Sequence, residues 1–356
     1  MIRADAGLLS AMLSLSGLLI SFLIVYLSVP RLTRKLQKEG IVGRDMLKKG
    51  EVMVPESGGI VIVLSVVASL SVITFIFTSY LYPSHVGGPS PSRQRMQLWM
   101  LSAIATILSV GFIGLVDDYL NIPQKYKVIL PAFGAMPLAF AFLERYRFWI
   151  PLVGYVHIGL LYPLVLIPIG IAAAANLTNM YAGLNGLEIG SGLIATTFTC
   201  LTAVAIGRWS AVIVLSPMIG ALAAFLLYNR YPARIFPGDV GTLTIGACLA
   251  VASIIGRIKI VAVIALAPQI VNFLQYLVNF RFFSSNPDAK FARVGEDGAL
   301  LPPEGGEYGS LYFTMMHLFH RDEWWHVRLH WLICIISGIV AFLVGIAIYV
   351  KGVPAF

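Results

Sequence analysis

Carboxylates that could do chemistry stand where an apolar run of the chain ends. Asp117 and Asp118 lie side by side in "GFIGLVDDYLNIPQKYK", and Lys125 and Lys127 follow within about three helical turns. Carboxylate oxygens bind Mg²⁺, and an aspartate can also act as a base or orient a nucleophile. The two lysines are point charges that could bind phosphate. The motif also fits a solvated helix end whose carboxylates pair with nearby lysines, so alone it is a weak signal.

Two later loops carry amides and a carboxylate between long apolar runs. The loop "NMYAGLNGLE" holds Asn179 and Asn185, six residues apart across a glycine break. An Asn side chain offers an oxygen to a hard cation and a hydrogen-bonding edge to a base. The loop containing "RIFPGD" ends at Asp239, where the next apolar run begins, and Phe236 could stack on a base. The alternatives are a capped helix–helix turn, a plain N-cap at Asp239 and an interfacial anchor at Phe236.

The first polar loop, "RLTRKLQKEGIVGRDMLKKGEVMVPESGGI", is the longest basic segment of the chain. It carries Asp45, Lys48, Lys49 and Glu56 among its charged residues. These charges could contact a soluble anionic ligand. The same composition also fits a topological signal that touches anionic lipid.

The last polar segment, 281–328, contains Lys290, Arg293 and most of "HLFHRDEWWHVRLH". The histidines of that stretch are His317, His320, His326 and His330. Their spacing does not reproduce HExxH or another zinc-binding pattern. Trp324 and Trp325 therefore favour an interfacial helix or aromatic belt over a metal site.

The composition shows which kind of scaffold must position these groups. Of the 356 residues, 58% are hydrophobic and 12% are charged, whereas soluble domains usually have about 25% charged residues. Apolar runs near 20 residues recur, and each is long enough to cross a hydrocarbon core as a helix. A β-barrel would alternate apolar and polar residues, which these runs do not. The sequence predicts an all-α polytopic membrane protein: a bundle of about ten transmembrane helices, with the active site at their cytoplasmic ends.

The predicted spans divide the chain, residues 1–356, into one integral-membrane domain. They cover about 8–29, 57–80, 98–116, 128–143, 152–175, 187–206, 211–228, 240–256, 259–280 and 329–350. The first span is longer than a signal-peptide core and is expected to be retained.

The distribution of charge predicts which side each loop faces. The loops on one side, about 30–56, 117–127, 176–186, 229–239 and 281–328, hold 16 of the 25 Lys and Arg residues. The positive-inside rule makes that side cytoplasmic. The same side holds 15 of the 17 acidic residues, which indicates a site for anionic substrates and a metal rather than for nucleic acid, despite a net charge of +8. The alternative is that cytoplasmic loops are simply longer and more polar.

Four motifs occur in order along the chain: "RDMLKKGEVMVPESGG", "VDDYLNIPQKYK", "NLTNMYAGLNGLE" and "RIFPGD". This order resembles the polyprenyl-phosphate N-acetylhexosamine-1-phosphate transferases, closest to the archaeal and eukaryotic UDP-GlcNAc:dolichyl-phosphate enzymes. The resemblance implies transfer of GlcNAc-1-phosphate from a UDP-sugar to a polyprenyl or dolichyl phosphate in the lipid bilayer, with release of UMP. That reaction is the first lipid-linked step of glycan assembly such as N-glycosylation. The membrane would be the plasma membrane in an archaeon and the endoplasmic reticulum in a eukaryote.

The resemblance also implies roles for individual residues. Asp117 and Asp118 match the aspartate pair near the attacking lipid phosphate, and Lys127 matches the lysine that binds this phosphate. Asn179 and Asp239 match the protein ligands of Mg²⁺, for which Mn²⁺ is the alternative metal.

Further residues match contacts to the substrates. Asn185 matches the asparagine that contacts uracil, and Phe236 an aromatic residue beside the base. The remaining substrate-binding candidates are Asp45, Met46, Lys48, Glu56, Asn121 and Arg293. The eukaryotic members have an Arg-His-Arg cluster where this chain reads "KFARV"; Arg293 fills one arginine position and Phe291 stands at another.

Several alternatives stay open at this point. The acceptor or sugar could be of the cell-wall or polysaccharide type, and polar residues among apolar spans also occur in secondary transporters. An intramembrane prenyltransferase would need a second Asp-rich motif, which the later loops lack. Attack by the lipid phosphate could be direct or proceed through a covalent aspartyl intermediate. The sequence fixes neither the polyprenol nor the oligomeric state, a homodimer included.

Overall fold

Long apolar helices form most of the structure, a computed structural model that describes residues 2–48, 50–76, 91–143, 147–150, 154–280 and 291–350. The helices are α1 (Ile2–Lys38), α2 (Ile60–Ile76), α3 (Pro91–Leu120), α4 (Gln124–Gly134), α5 (Met136–Ala141), α6 (Ile167–Met180), α7 (Leu187–Ala205), α8 (Trp209–Asn229), α9 (Gly238–Gly256), α10 (Lys259–Ala265), α11 (Ala267–Val278), α12 (Leu311–Leu318) and α13 (Glu323–Val350). A π-helical turn, Tyr162–Leu166, leads into α6.

Three short antiparallel hairpins join the helices. Their strands are β1 (Val42–Arg44) with β2 (Met53–Pro55), β3 (Arg147–Ile150) with β4 (Gly154–His157), and β5 (Arg293–Val294) with β6 (Leu300–Leu301). In the first hairpin Val42 lies opposite Pro55 and Arg44 opposite Met53. The first and third hairpins lie in segments that the sequence assigns to polar loops.

The predicted fold class is confirmed, and about ten spans is an approximate count. Within the described residues, seven helices are long and apolar enough to cross a membrane, and α10 with α11 makes an eighth if this pair, bent by 64°, is one span. The predicted spans 57–80 and 128–143 correspond to shorter helices, α2 and the pair α4–α5, and residues 77–80 lie outside the described part. The predicted span 152–175 is helical only from Tyr162, because Gly154–His157 is a strand.

Helix α9 lies at the centre of the bundle. It packs against α3, α6 and α8, and 89% of its most apolar stretch is buried. Its sequence, "GDVGTLTIGACLAVASIIG", is rich in Gly, Ala, Ser and Thr, and small residues let neighbouring backbones approach closely. The motif at the start of α9 is therefore surrounded by other helices.

The ends of several helices meet at the start of α9. The hydroxyl of Thr178, near the end of α6, donates to the carbonyl of Thr242 at 2.7 Å. The Asn272 side chain of α11 donates to the carbonyl of Met180 at 3.1 Å and accepts from the amide of Leu311, which begins α12, at 3.0 Å. A second apolar cluster beneath these loops contains Tyr181, Leu184, Leu187, Leu300, Phe313, Met316 and Val327. This end of the bundle is thus held by both hydrogen bonds and packing.

Candidate active site

Three of the four sequence motifs line one cavity at this end of the bundle, and the second motif reaches it through the ion pair of Lys127 with Asp239. Its volume is about 280 Å³. Seven of the candidate residues line it: Asp45, Met46, Glu56, Asn179, Asn185, Phe236 and Asp239. The loops that contribute them are separated by up to 194 positions in the chain (Asp45 to Asp239), so the convergence is a property of the fold.

Asp118 caps the helix that carries Asp239. The Asp239 amide donates to Asp118 Oδ1 at 2.6 Å, and the Val240 amide donates to Oδ2 at 3.4 Å. Gly238 has a φ of +65°, and a Cβ there would overlap the Asp118 carboxylate. A carboxylate at a helix N-terminus is stabilised by the helix dipole and by the free amides. Asp118 therefore positions Asp239 and the start of α9.

Lys127 lies between two carboxylates. Its Nζ is 2.6 Å from Asp117 Oδ2 and also forms an ion pair with Asp239. Asp117 is 4% exposed, and its Oδ1 accepts from the Ile122 amide at 2.9 Å. Burial disfavours the charged ammonium, but the hydrogen bonds and charges of Asp117 and Asp239 outweigh burial and raise the pKa of Lys127. Lys127 is thus a fixed cation that could hold a phosphate next to Asp239.

Asn179 and Asp239 present oxygen atoms to the same cavity. The hydroxyl of Thr242, one turn after Asp239, donates to Asn179 Oδ1 at 2.8 Å and links α6 to α9. The described residues contain no group of three or more His, Cys, Asp or Glu side chains placed to bind a metal. Mg²⁺ is commonly held by one or two carboxylates together with substrate phosphates, so an amide and a carboxylate beside a phosphate site fit it.

Asn185 connects three separate parts of the chain. Its Nδ2 donates to Asp45 Oδ2 at 3.0 Å and to Glu323 Oε1 at 2.5 Å, and its Oδ1 accepts from the Ala233 amide at 3.2 Å. Asn185 is 3% exposed. Both donor hydrogens are engaged, while the amide oxygen keeps one lone pair for a ligand.

Glu323 is a site residue that the sequence motifs do not predict. It begins α13, and its carboxylate accepts from the Asn185 amide at 2.7 Å and forms an ion pair with Lys48. Lys48 Nζ also lies 4.1 Å from the centre of the Tyr231 ring. A carboxylate in the first turn of a long apolar helix was the available signal. Glu323 thus fastens the first loop and the asparagine loop to the last helix.

Replacing Glu323 by alanine should destabilise the protein by about 3 kcal/mol, because the buried Asn185 amide and the Lys48 ammonium lose their acceptor. The matched control is Glu51→Ala, which removes an exposed carboxylate of the first loop. The apparent melting temperature in detergent is the measurement. Equal melting temperatures for the two variants would contradict this role for Glu323.

The first loop also docks by its backbone onto the loop before α9. The amides of Gly58 and Gly59 donate to the carbonyls of Phe236 and Pro237 at 2.9 and 2.8 Å, and the Phe236 amide donates to the carbonyl of Pro55 at 2.8 Å. A Cβ at Gly59 would overlap the backbone of Gly241. This docking explains why "VPESGG" and "RIFPGD" belong together, and it fixes Phe236 at the cavity.

Replacing Gly59 by alanine should therefore lower the apparent melting temperature, since its Cβ would force the first loop away from α9. The expected cost is about 1–3 kcal/mol, as for overpacking elsewhere. Gly170→Ala is the control, because that helical glycine has open space around it. A Gly59→Ala variant as stable as Gly170→Ala would show that the first loop is not held closely against α9.

Comparison with known proteins identifies the family. The model of glycosyl transferase family 4 matches residues 100–257. A Saccharolobus solfataricus protein named putative UDP-N-acetylglucosamine–dolichyl-phosphate N-acetylglucosaminephosphotransferase is 30% identical over 91% of this chain and 94% of its own length. The chain belongs to glycosyl transferase family 4. A Sulfolobus acidocaldarius protein of the same name is 31% identical, covering 93% of this chain and 97% of that protein.

Eukaryotic proteins also match the chain. The Schizosaccharomyces pombe UDP-N-acetylglucosamine–dolichyl-phosphate N-acetylglucosaminephosphotransferase is 31% identical over 69% of this chain and 62% of its own length. The resemblance inferred from the ordered motifs is thereby confirmed. The chain is a multi-pass membrane protein of the sugar-1-phosphate transferase kind.

Three further candidates lie outside the lining of the family 4 cavity. Asn121 has a φ of +50° and directly follows α3. Arg293 forms an ion pair with Glu304 and donates to the Pro302 carbonyl at 3.3 Å. Lys48 pairs with Asp45, which lines the cavity, and with Glu323. Their substrate-binding roles stay predictions, and Lys49 and Lys290 lie outside the described residues.

The histidines of the last polar segment separate into two groups. His326 and His330 are fully buried on α13, and His330 Nδ1 lies 2.6 Å from the Tyr181 hydroxyl. His317 is exposed and its ring lies 5.2 Å from that of Tyr308, while His320 is exposed. Through Tyr181, His330 thus contacts the loop that carries Asn179 and Asn185.

Proposed function

We propose that this protein transfers GlcNAc-1-phosphate from UDP-GlcNAc to a membrane polyprenyl or dolichyl phosphate, releasing UMP and forming a lipid-diphosphate sugar. The proposal is supported mainly by the position of Asp239 between two groups of site residues. On one side lies a polar cavity lined by Asn179, Asn185 and Phe236, and on the other lies Lys127 paired with Asp117. The archaeal relatives named for this activity match over more than nine-tenths of the chain.

The position of the site suits one soluble and one membrane-bound substrate. Asp117 lies near the end of α3 and Asp239 at the start of α9, so both are at the end of apolar helices. A nucleotide-sugar can enter such a site from water, while a polyprenyl chain stays among the helices or in lipid. We propose that this end faces the cytoplasm, on the Lys and Arg distribution. The membrane would be the plasma membrane in an archaeon and the endoplasmic reticulum in a eukaryote.

The lipid phosphate is proposed to attack the donor directly. A phosphomonoester has a second pKa near 6, so at neutral pH it is mostly dianionic and already nucleophilic. One of its oxygens would attack the β-phosphorus of UDP-GlcNAc as the bond from that phosphorus to the bridging oxygen breaks, and UMP would leave. Lys127 would hold the attacking phosphate against the repulsion of the donor. Asp117, paired with Lys127 and bonded to the Ile122 amide, would orient that ammonium.

The cavity residues are proposed to hold the donor. Mg²⁺, or Mn²⁺ in its place, bound through Asn179 and Asp239 would neutralise charge on the diphosphate and on departing UMP. Phe236, fixed by the first loop, would lie beside the base, and the free lone pair of Asn185 would accept a hydrogen bond from it. The oxygen-only donor set and the shared cavity support this assignment.

A donor panel tests the proposal. Purified protein with Mg²⁺ and polyprenyl phosphate is incubated with UDP-GlcNAc, UDP-GalNAc and UDP-glucose, and UMP release is measured. UDP-GlcNAc should give the fastest release, and omission of the lipid phosphate should abolish it. The absence of release with every donor would overturn the proposal, and release that needs no lipid would indicate hydrolysis instead.

A further inference from the structure

The charges around the cavity do not match the donor that it is proposed to bind. Four carboxylates line the cavity: Asp45, Glu56, Glu188 and Asp239. In the described part of the chain, Arg44 is its one cationic lining residue. A nucleotide diphosphate sugar carries two negative charges on its diphosphate. With four carboxylates in its lining, such a cavity favours a side-chain cation, in addition to the proposed Mg²⁺, that is free to pair with the ligand.

Three other described cations near the cavity already pair with carboxylates. Lys48 pairs with Glu323, and Lys127 pairs with Asp117 and Asp239. Arg293 is held by Glu304, away from the cavity lining. An anion would have to compete with these carboxylates for each of the three cations.

Arg44 differs from them in its surroundings. It lies in β1, opposite Met53 of β2, and is exposed. Its guanidinium makes no ion pair with any carboxylate in the described ranges. The strand that carries it continues into Asp45, which is bonded to Asn185. The hairpin thus holds Arg44 at the cavity, and its five N–H donors are not engaged by a carboxylate of the described residues.

We propose that Arg44 binds the diphosphate of the nucleotide-sugar donor; this inference rests on the proposed function. The planar guanidinium can form two parallel hydrogen bonds to phosphate oxygens, which an ammonium cannot do in that fixed geometry. Arg44 is thereby a donor-binding residue, distinct from Lys127 at the acceptor phosphate. Arg44 should therefore contribute to the affinity for the donor. The size of this contribution should depend on the negative charge of the ligand.

The test measures binding by purified protein in detergent, by calorimetry with UDP-GlcNAc and by competition with uridine. Arg44→Gln should weaken UDP-GlcNAc binding by about ten- to a hundredfold, as expected for loss of a charge-assisted hydrogen bond. It should leave the affinity for uridine, which has no phosphate, unchanged. Arg44→Lys should lie between Arg44→Gln and the wild type. Arg234→Gln is the matched control, because Arg234 is exposed and outside the cavity lining.

The outcomes separate the inference from the function on which it rests. Wild-type protein that binds UDP-GlcNAc, with Arg44→Gln binding it as tightly, would overturn the inference alone. An equal loss of uridine and UDP-GlcNAc affinity would also overturn it, since the effect would not follow charge. Wild-type protein that binds no UDP-GlcNAc would overturn the proposed function and the inference with it.

Discussion

Replacing Lys127 by glutamine should slow sugar-phosphate transfer by about a hundred- to a thousandfold, the range found when a charge-stabilising donor is removed from an active site. Lys127 contacts Asp117 Oδ2 at 2.6 Å and pairs with Asp239 as well. Without its charge, a dianionic lipid phosphate would approach two carboxylates with no cation between them. Donor binding should change little, because Lys127 is outside the lining of the cavity.

The measurement is a pair of kinetic constants, kcat and the KM for polyprenyl phosphate, with UDP-GlcNAc affinity measured separately. Lys125→Gln is the control: this residue is two positions away, exposed, and lies over the Tyr126 ring at 4.9 Å. It should retain nearly full activity. A Lys127→Gln variant within tenfold of the wild-type rate would remove this lysine from the mechanism.

Replacing Asn179 by alanine should raise the Mg²⁺ concentration for half-maximal activity by at least about tenfold, a change of about 1.4 kcal/mol in metal binding. Asn179 offers its Oδ1 at the cavity and is joined to α9 through Thr242 at 2.8 Å. Asn185 lines the same cavity, yet its side chain is bonded to Asp45, Glu323 and Ala233. Asn185→Ala should therefore weaken UDP-GlcNAc binding and lower stability, and leave the Mg²⁺ requirement nearly unchanged.

The two asparagine variants serve as controls for each other. Mg²⁺ titrations of activity and UDP-GlcNAc binding are measured on both. If Asn185→Ala shifted the Mg²⁺ requirement more than Asn179→Ala, the assignment of metal and base contacts would have to be exchanged.

The convergence of Asp117, Lys127 and Asp239 could be anticipated because each lies at the end of an apolar run on the same predicted side. Hydropathy places such ends at one membrane surface, and the ordered motifs indicate which of these ends contribute to one site. The role of Asp118 as a helix cap could not be predicted from the sequence, because a carboxylate at a helix end fits capping and catalysis equally well.

Contacts between distant segments could not be predicted from the sequence. Glu323 is 138 positions from Asn185, and the pairing of Gly58 with Phe236 uses backbone atoms that every residue has. The sequence also did not predict the bend between α10 and α11. Pro268, near the start of α11, gives its physical reason, because proline cannot continue the hydrogen bonds of a helix. Hydropathy averages over such breaks, so 259–280 read as one span.

In the proposed reaction a sugar phosphate, and not a sugar, moves to the lipid. The most direct test is to identify both products of one reaction with UDP-GlcNAc carrying ³²P in its β-phosphate, using purified protein, Mg²⁺ and polyprenyl phosphate. We predict that the label moves to a lipid whose mass equals polyprenyl diphosphate plus GlcNAc, with one unlabelled UMP released for each lipid formed. Labelled UDP as the soluble product, with a lipid that carries GlcNAc and a single phosphate, would show instead that only the sugar is transferred.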